Sequence, residues 1–179
     1  FEEICFDDVG MLEAVVTSGG LSTMPWTFEG ELNTLENKTI RYQGHWELMK
    51  AYRQLGLFNE KEINFNGNKI VPREFYHHLL EPQLKSEDKH DICLMRSEAY
   101  GLKDGKSVGV RFDLKEEYDK QTDLMAMEKW TGWHASIMMQ HITSGNIGPG
   151  AYSVENALTG HQFYGQAMKR NYNIKIKEG

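Results

Sequence analysis

The stretch that decides the fold reads Ile92-Cys93-Leu94-Met95-Arg96-Ser97-Glu98-Ala99-Tyr100-Gly101-Leu102-Lys103-Asp104-Gly105-Lys106-Ser107-Val108-Gly109-Val110-Arg111-Phe112-Asp113-Leu114. An Asp-Gly pair between two alternating segments is the signature of a two-residue hairpin turn, whose central positions both need a positive φ. Such a loop pairs Lys103 with Lys106, and that one assignment fixes every pair below it. Ala99 then faces Val110, Ser97 faces Phe112 and Met95 faces Leu114, which gives a core face. On the other face Glu98 opposes Arg111 and Arg96 opposes Asp113. Each opposite-charge pair adds up to ~1 kcal/mol, and two falling out of one register support it.

Elements are read outward from that hairpin. Upstream, Phe1 to Asp8 and Leu12 to Thr17 are two short strands around Val9-Gly10. A long loop from Ser18 to about Glu36 holds Met24-Pro25-Trp26-Thr27-Phe28, whose aromatics either cover a ligand or pack the loop onto the core. Lys38 to Gln43 is a strand. A helix runs from about His45 to Leu55, with Leu48, Met49, Tyr52 and Leu55 on one face and Gly56 as its stop. Glu62 to Val71 is a hairpin about Asn66-Gly67. A second helix opens at Pro72, turns Phe75, Leu79, Leu80 and Leu84 inward, and is limited by Pro82. Downstream, Asp123 to Met127 is expected as a strand and Thr131 to Ser144 as a helix. Ser153 opens another helix, broken near Thr159-Gly160 and reaching about Arg170, and Ile174 and Ile176 mark a last strand. The fold class is α+β: a mixed, mostly antiparallel sheet covered by helices, in one domain over residues 1–179.

Composition narrows the function. A chain of 179 residues with 40% hydrophobic and 26% charged content has the makings of an ordinary core. The net charge of −6, without a basic stripe, argues against nucleic acid as a partner. No apolar run is long enough to span a membrane. Cys5 and Cys93 have neither metal-ligand nor disulfide-framework spacing, which suits a reducing, cytoplasmic setting. His134 and His141 lie seven residues apart on one helix, ~10.5 Å along its axis, too far to share an ion. No metal site is therefore expected. Gly145-Asn146-Ile147-Gly148-Pro149-Gly150 follows a helix and not a strand, so it lacks the context of a dinucleotide fingerprint.

Chemistry concentrates between Thr17 and His45. Thr17-Ser18-Gly19-Gly20-Leu21-Ser22-Thr23 follows a strand, and its paired glycines and hydroxyls suit a turn around a polar or anionic group. Lys38-Thr39-Ile40-Arg41-Tyr42-Gln43-Gly44-His45 then sets an arginine in a strand and a histidine at a helix start. The guanidinium of Arg41 matches a carboxylate with two parallel hydrogen bonds, the plain alternative being a cross-strand ion pair. His45 either orients substrate or moves a proton near neutral pH, or simply contacts the helix start.

These motifs, with Leu55-Gly56-Leu57-Phe58, Pro72-Arg73-Glu74, Leu79-Leu80-Glu81-Pro82 and Met127-Glu128-Lys129-Trp130-Thr131-Gly132, resemble the C-terminal catalytic domain of the saccharopine dehydrogenase family. That family includes saccharopine reductases and lysine 6-dehydrogenases. Two positions depart from it: His134 stands where a proline is expected, and Trp46 where a smaller residue is. The resemblance implies a glyceraldehyde-3-phosphate dehydrogenase C-terminal-like fold, serving as the substrate-binding and dimerisation part of a larger oxidoreductase. The start at Phe1, without a methionine, fits that picture, with an N-terminal Rossmann domain expected outside this chain.

The implied reaction is hydride transfer between NAD or NADP and a C–N bond of a lysine-derived amine, in a homodimer. This chain alone is expected to be inactive and to bind neither cofactor. The resemblance makes Arg41 the substrate-carboxylate reader and His45 the catalytic candidate. Thr17, Ser18, Gly19, Gly20 and Tyr42 are placed on the substrate side, and Thr131 and Gly132 on the cofactor side. Two alternatives stay open: lysine 6-dehydrogenase activity specifically, or a non-catalytic dimerisation or ligand-binding module of the same fold. Among the strand arginines, the hairpin register assigns Arg96 to Asp113 and Arg111 to Glu98, which leaves Arg41 without a derived acid opposite it.

Overall fold

A computed structural model describes residues 1–17 and 19–179, which fall into two compact units, Phe1–Glu87 and Asp88–Gly179. In the first unit β1 (Glu2–Phe6) and β2 (Gly10–Val16) form an antiparallel pair, and β3 (Lys38–Tyr42) joins the far side of β2. The period of two sends Phe6, Leu12 and Ala14 to one face, where all three are buried. The opposite face carries Glu13 and Arg41, directly paired across β2 and β3.

Past the short helix α1 (Met24–Thr27), Trp26 stays 75% exposed, so it does not pack the loop onto a core. Helix α2 (His45–Gln54) starts behind Gly44, whose φ of 88° is open to glycine at little cost. Strands β4 (Ile63–Phe65) and β5 (Asn68–Ile70) close around Asn66-Gly67, both at positive φ, as that dipeptide predicts. Helix α3 (Pro72–Leu84) begins on its proline and runs two residues beyond Pro82. It meets α2 through Tyr76, whose ring lies 5.7 Å from Tyr52 and 5.1 Å from Phe58. The expectation that α3 turns Phe75, Leu79 and Leu84 inward is corrected: they are 50%, 55% and 70% exposed. Helical spacing names a common face but not what covers it, and here Tyr76 makes the contact.

In the second unit β6 (Ile92–Lys103) and β7 (Lys106–Glu117) pair in the register read from the turn, Lys103 with Lys106 through Ile92 with Glu117. Asp104 and Gly105 both take positive φ, at 54° and 74°. The expected strand at Asp123–Met127 is replaced by a turn and the start of α4 (Ala126–Thr143), five residues before the predicted helix. A distant acid explains the earlier start. The Asp91 carboxylate accepts the Ala126 and Met127 N–H groups at 2.6 and 3.0 Å, and Glu128 accepts the Met125 N–H at 2.9 Å. Those are donors a helix start leaves without partners.

Helices α5 (Val154–Ala157) and α6 (Gly160–Met168) follow, the latter capped by Thr159, which accepts the Gln162 N–H at 3.2 Å. Strand β8 (Ile174–Glu178) completes the sheet against β7. Under that sheet Lys129 and Glu116 form a buried ion pair at 2.7 Å, and the second Glu116 oxygen accepts the Asn173 N–H at 3.1 Å. Ile137 and Ala167 are fully buried between α4 and α6. Arg170 donates to Gln140 Oε1 at 2.8 Å, tying the end of α6 back to α4.

The molecule is α+β. Its strands form sheets of three, two and three strands, and every named strand pair among the described residues is antiparallel. No helix among the described residues is long and apolar enough to cross a membrane.

Candidate functional site

The joint between β3 and α2 carries the densest chemistry of the first unit. Glu13 lies on the central strand, 6% exposed, with both carboxylate oxygens accepting main-chain donors of that joint. Oε1 accepts the Gly44 N–H at 2.8 Å and Oε2 the Trp46 N–H at 3.2 Å. The Trp46 indole N–H in turn donates to the Glu13 carbonyl at 3.4 Å. The amides at this helix start are therefore held by a side chain of this chain. The acid also stands directly across from Arg41, a position for which the hairpin register gave no partner.

Facing acid and paired acid are different things. Glu13 is held by the two amides, and the exposed Arg41 guanidinium donates to its neighbour's carbonyl, Ile40 O, at 2.7 Å. Among the described residues no carboxylate lies within ion-pair distance of Arg41. His45, half-buried as the first residue of α2, packs its ring edge-on against Trp46 at 4.8 Å. Burial pushes its pKa below the ordinary 6.5, the Arg41 charge adds to that, and Glu13 acts the other way. At neutral pH the imidazole is thus uncharged and able to accept a proton beside an open cation.

The other two strand arginines are closed. Asp113 receives Arg96 Nε at 2.6 Å and Arg111 Nη2 at 2.6 Å, with side chains 9%, 13% and 25% exposed for Arg96, Asp113 and Arg111. Arg96 takes its predicted partner. The assignment of Arg111 to Glu98 is corrected: the two face each other in register, but Arg111 bends two residues along its own strand to Asp113. Glu98 instead accepts the Tyr100 hydroxyl at 3.1 Å. Burial raises the Asp113 pKa, but the two guanidiniums outweigh it and bring it to about 2.

The remaining candidates disperse. Thr17 and Thr39 join hydroxyls at 2.6 Å, two residues along β3 from Arg41 and on its face of the sheet. Ser18 lies outside the described residues. Gly19 has a φ of 87°, and a Cβ on Gly20 would sit 2.0 Å from Asn37 Oδ1, so both glycines have local reasons to be there. Tyr42 pairs with Leu12, on the face opposite Arg41. In the second unit the Thr131 hydroxyl donates to the Met127 carbonyl inside α4, and a Cβ on Gly132 would meet nothing within 4 Å. His134 stacks near Phe163 at 5.5 Å, while His141 is buried with Asn146 beside its Nδ1 at 3.1 Å.

Glu13 is the residue that sequence reading missed. Its signal is present in Leu12-Glu13-Ala14-Val15-Val16: a lone acid inside an apolar central strand must find buried donors. Against known families, residues 2–171 match the model described as Saccharopine dehydrogenase C-terminal domain.

Proposed function

The chain belongs to the saccharopine dehydrogenase C-terminal domain family, and from that premise we propose that Arg41 and His45 form the substrate-facing pair of an amino-acid oxidoreductase. Membership supports a substrate-binding role in a dehydrogenase context. The reaction we assign is reversible hydride transfer between NAD or NADP and the C–N bond of a lysine-derived amine, the resulting imine being opened by water.

Two stretches of this chain with glycine or hydroxyl groups offer no dinucleotide platform. The glycines from 145 to 150 follow α4, not a strand, and the Thr131 hydroxyl is already held inside the helix. This chain supplies the substrate side: the cofactor carries the hydride chemistry, and the protein orients substrate and manages charge. Arg41 binds a substrate carboxylate through its exposed guanidinium. Neutral His45 accepts a proton from the substrate ammonium or from the attacking water.

The observation that carries this reading is the contrast among strand arginines: Arg96 and Arg111 are held by Asp113, while Arg41, among the described residues, has only a carbonyl. Arg41→Met in the complete enzyme is expected to lower kcat/KM at least ~10-fold, the loss of one charged hydrogen-bonded contact of about 1.5–3 kcal/mol. Arg111→Met should leave catalysis nearly intact and reduce stability. The reverse ranking in steady-state kinetics, with both variants folded, would remove Arg41 from the site.

A further inference from the structure

We propose that Glu13 is the positioning residue of this site, holding the main chain on both sides of His45 so that the imidazole stays fixed beside Arg41. The inference rests on the reading of Arg41 and His45 as the substrate-facing pair. Its geometry does not. One oxygen takes the amide before His45 at 2.8 Å and the other the amide after it at 3.2 Å, so the carboxylate straddles the residue it places. A third tie runs from the Trp46 indole back to the Glu13 carbonyl, and the Trp46 ring then meets His45 edge-on.

Backbone restraint matters here because the preceding residue is Gly44 at a φ of 88°, a joint with the widest conformational freedom available to a chain. Without the carboxylate, nothing else among the described hydrogen bonds holds the Gly44 N–H. Glu13 lies on the middle strand, flanked by β1 and β3, so its own place is set by two ladders. At 6% exposed, with both oxygens engaged by amides, it is not suited to contact substrate itself. Its influence runs through His45, in position and in charge. The charged groups acting on His45 are Arg41 from β3 and Glu13 from β2, with opposite signs.

Glu13→Gln keeps the shape, turns one acceptor into a donor facing an N–H, and removes the charge. In the complete enzyme, kcat/KM is expected to fall ~10-fold, mainly in kcat, since the substrate-gripping Arg41 is left in place. The acid limb of the pH profile, where His45 gains its proton, should move to lower pH. The sign follows because removing a negative charge disfavours the imidazolium. Glu13→Asp keeps the charge but shortens the reach by one methylene, so kcat should fall while the limb stays. A role in stability alone would lower the melting temperature of both variants and leave the limb where it is, and that result overturns the proposal.

The His45 ring titration, followed by NMR in this chain without substrate, should show the same downward step in Glu13→Gln. If that step appears while Arg41→Met and His45→Gln retain full activity, the substrate-facing reading fails and the positioning of His45 stands. If those two variants are crippled while Glu13→Gln moves neither the limb nor the NMR step, the positioning role alone is wrong. Should Glu13→Gln fail to fold, Glu13→Asp decides: a kcat equal to wild type overturns the proposal.

Discussion

Both units set carboxylates among helix-start amides and strand arginines, and they reach opposite results. In the first, Glu13 gives both oxygens to the amides at the start of α2, and the arginine across from it remains open. In the second, that capping task falls to Asp91, at the start of α4, and Asp113 is left for guanidiniums, of which it holds two. The difference shows that an arginine's availability depends less on the acid opposite it than on what that acid already binds. A carboxylate has about four lone-pair sites. Where amides take them, a nearby cation stays exposed as a binding group; where cations take them, the cluster becomes a structural tie.

The comparison breaks first at Asp113. Asp113→Asn takes the Asp113 charge away from Arg96, 9% exposed, and removing one partner of a buried pair costs roughly 3 kcal/mol. Urea unfolding should show that loss, whereas Arg41→Met should change stability by less than ~0.5 kcal/mol, as exposed substitutions do. Equal losses would erase the distinction between tie and site.

Acid titration sharpens the same point with no mutation. The Asp113 pKa is about 2 when folded against 3.8 in its ordinary state. Its folded value is depressed, so its stabilisation is full above pH 3.8 and disappears as pH falls through about 2. The stake is about 2 kcal/mol. Unfolding free energy measured across that window should decline, and the decline should shrink in Arg111→Met, which raises the folded value. A slope unchanged by Arg111→Met would mean that Asp113 does not couple to that cation.

A smaller loss than at Asp113 is expected at the second cap. Asp91→Ala removes the acceptor for the Ala126 and Met127 N–H groups and should cost about 1 kcal/mol, as other N-cap losses do. The amides of the first α4 turn should exchange faster while those near Ile137 keep their protection. Uniform acceleration along α4 would show that Asp91 supports more than the helix start.

What the sequence disclosed follows the range of each interaction. The β6–β7 register was fully legible, because two residues at a turn determine all the pairs above them. The start of α4 was not, because its cap lies 35 residues upstream and only the folded chain brings it there. Ion pairing fell between: register named the residues facing each other, and long side chains then chose Asp113 over Glu98. The site shows the same limit. The places of Arg41 at a strand end and His45 at a helix start could be read, but the bonds of Glu13 reach across 31 and 33 positions. Exposure of Phe75, Leu79 and Leu84 was illegible for another reason, since a helical stripe looks the same whether or not anything covers it.

The position of β8 gives the second unit an order of assembly. Lys103 meets Lys106 across three positions, whereas Val110 meets Glu178 across 68 (178 minus 110). Closing a longer loop sacrifices more chain entropy, and non-local pairings form late for that reason. The ribbon of β6 and β7 can thus close on local contacts alone, long before its third strand arrives. Until then Phe112 and Leu114 lie along an unfinished edge, the side later taken by Ile176 and Ile174. In folding, β8 acts as the latch of a sheet whose register was settled at the β6–β7 turn.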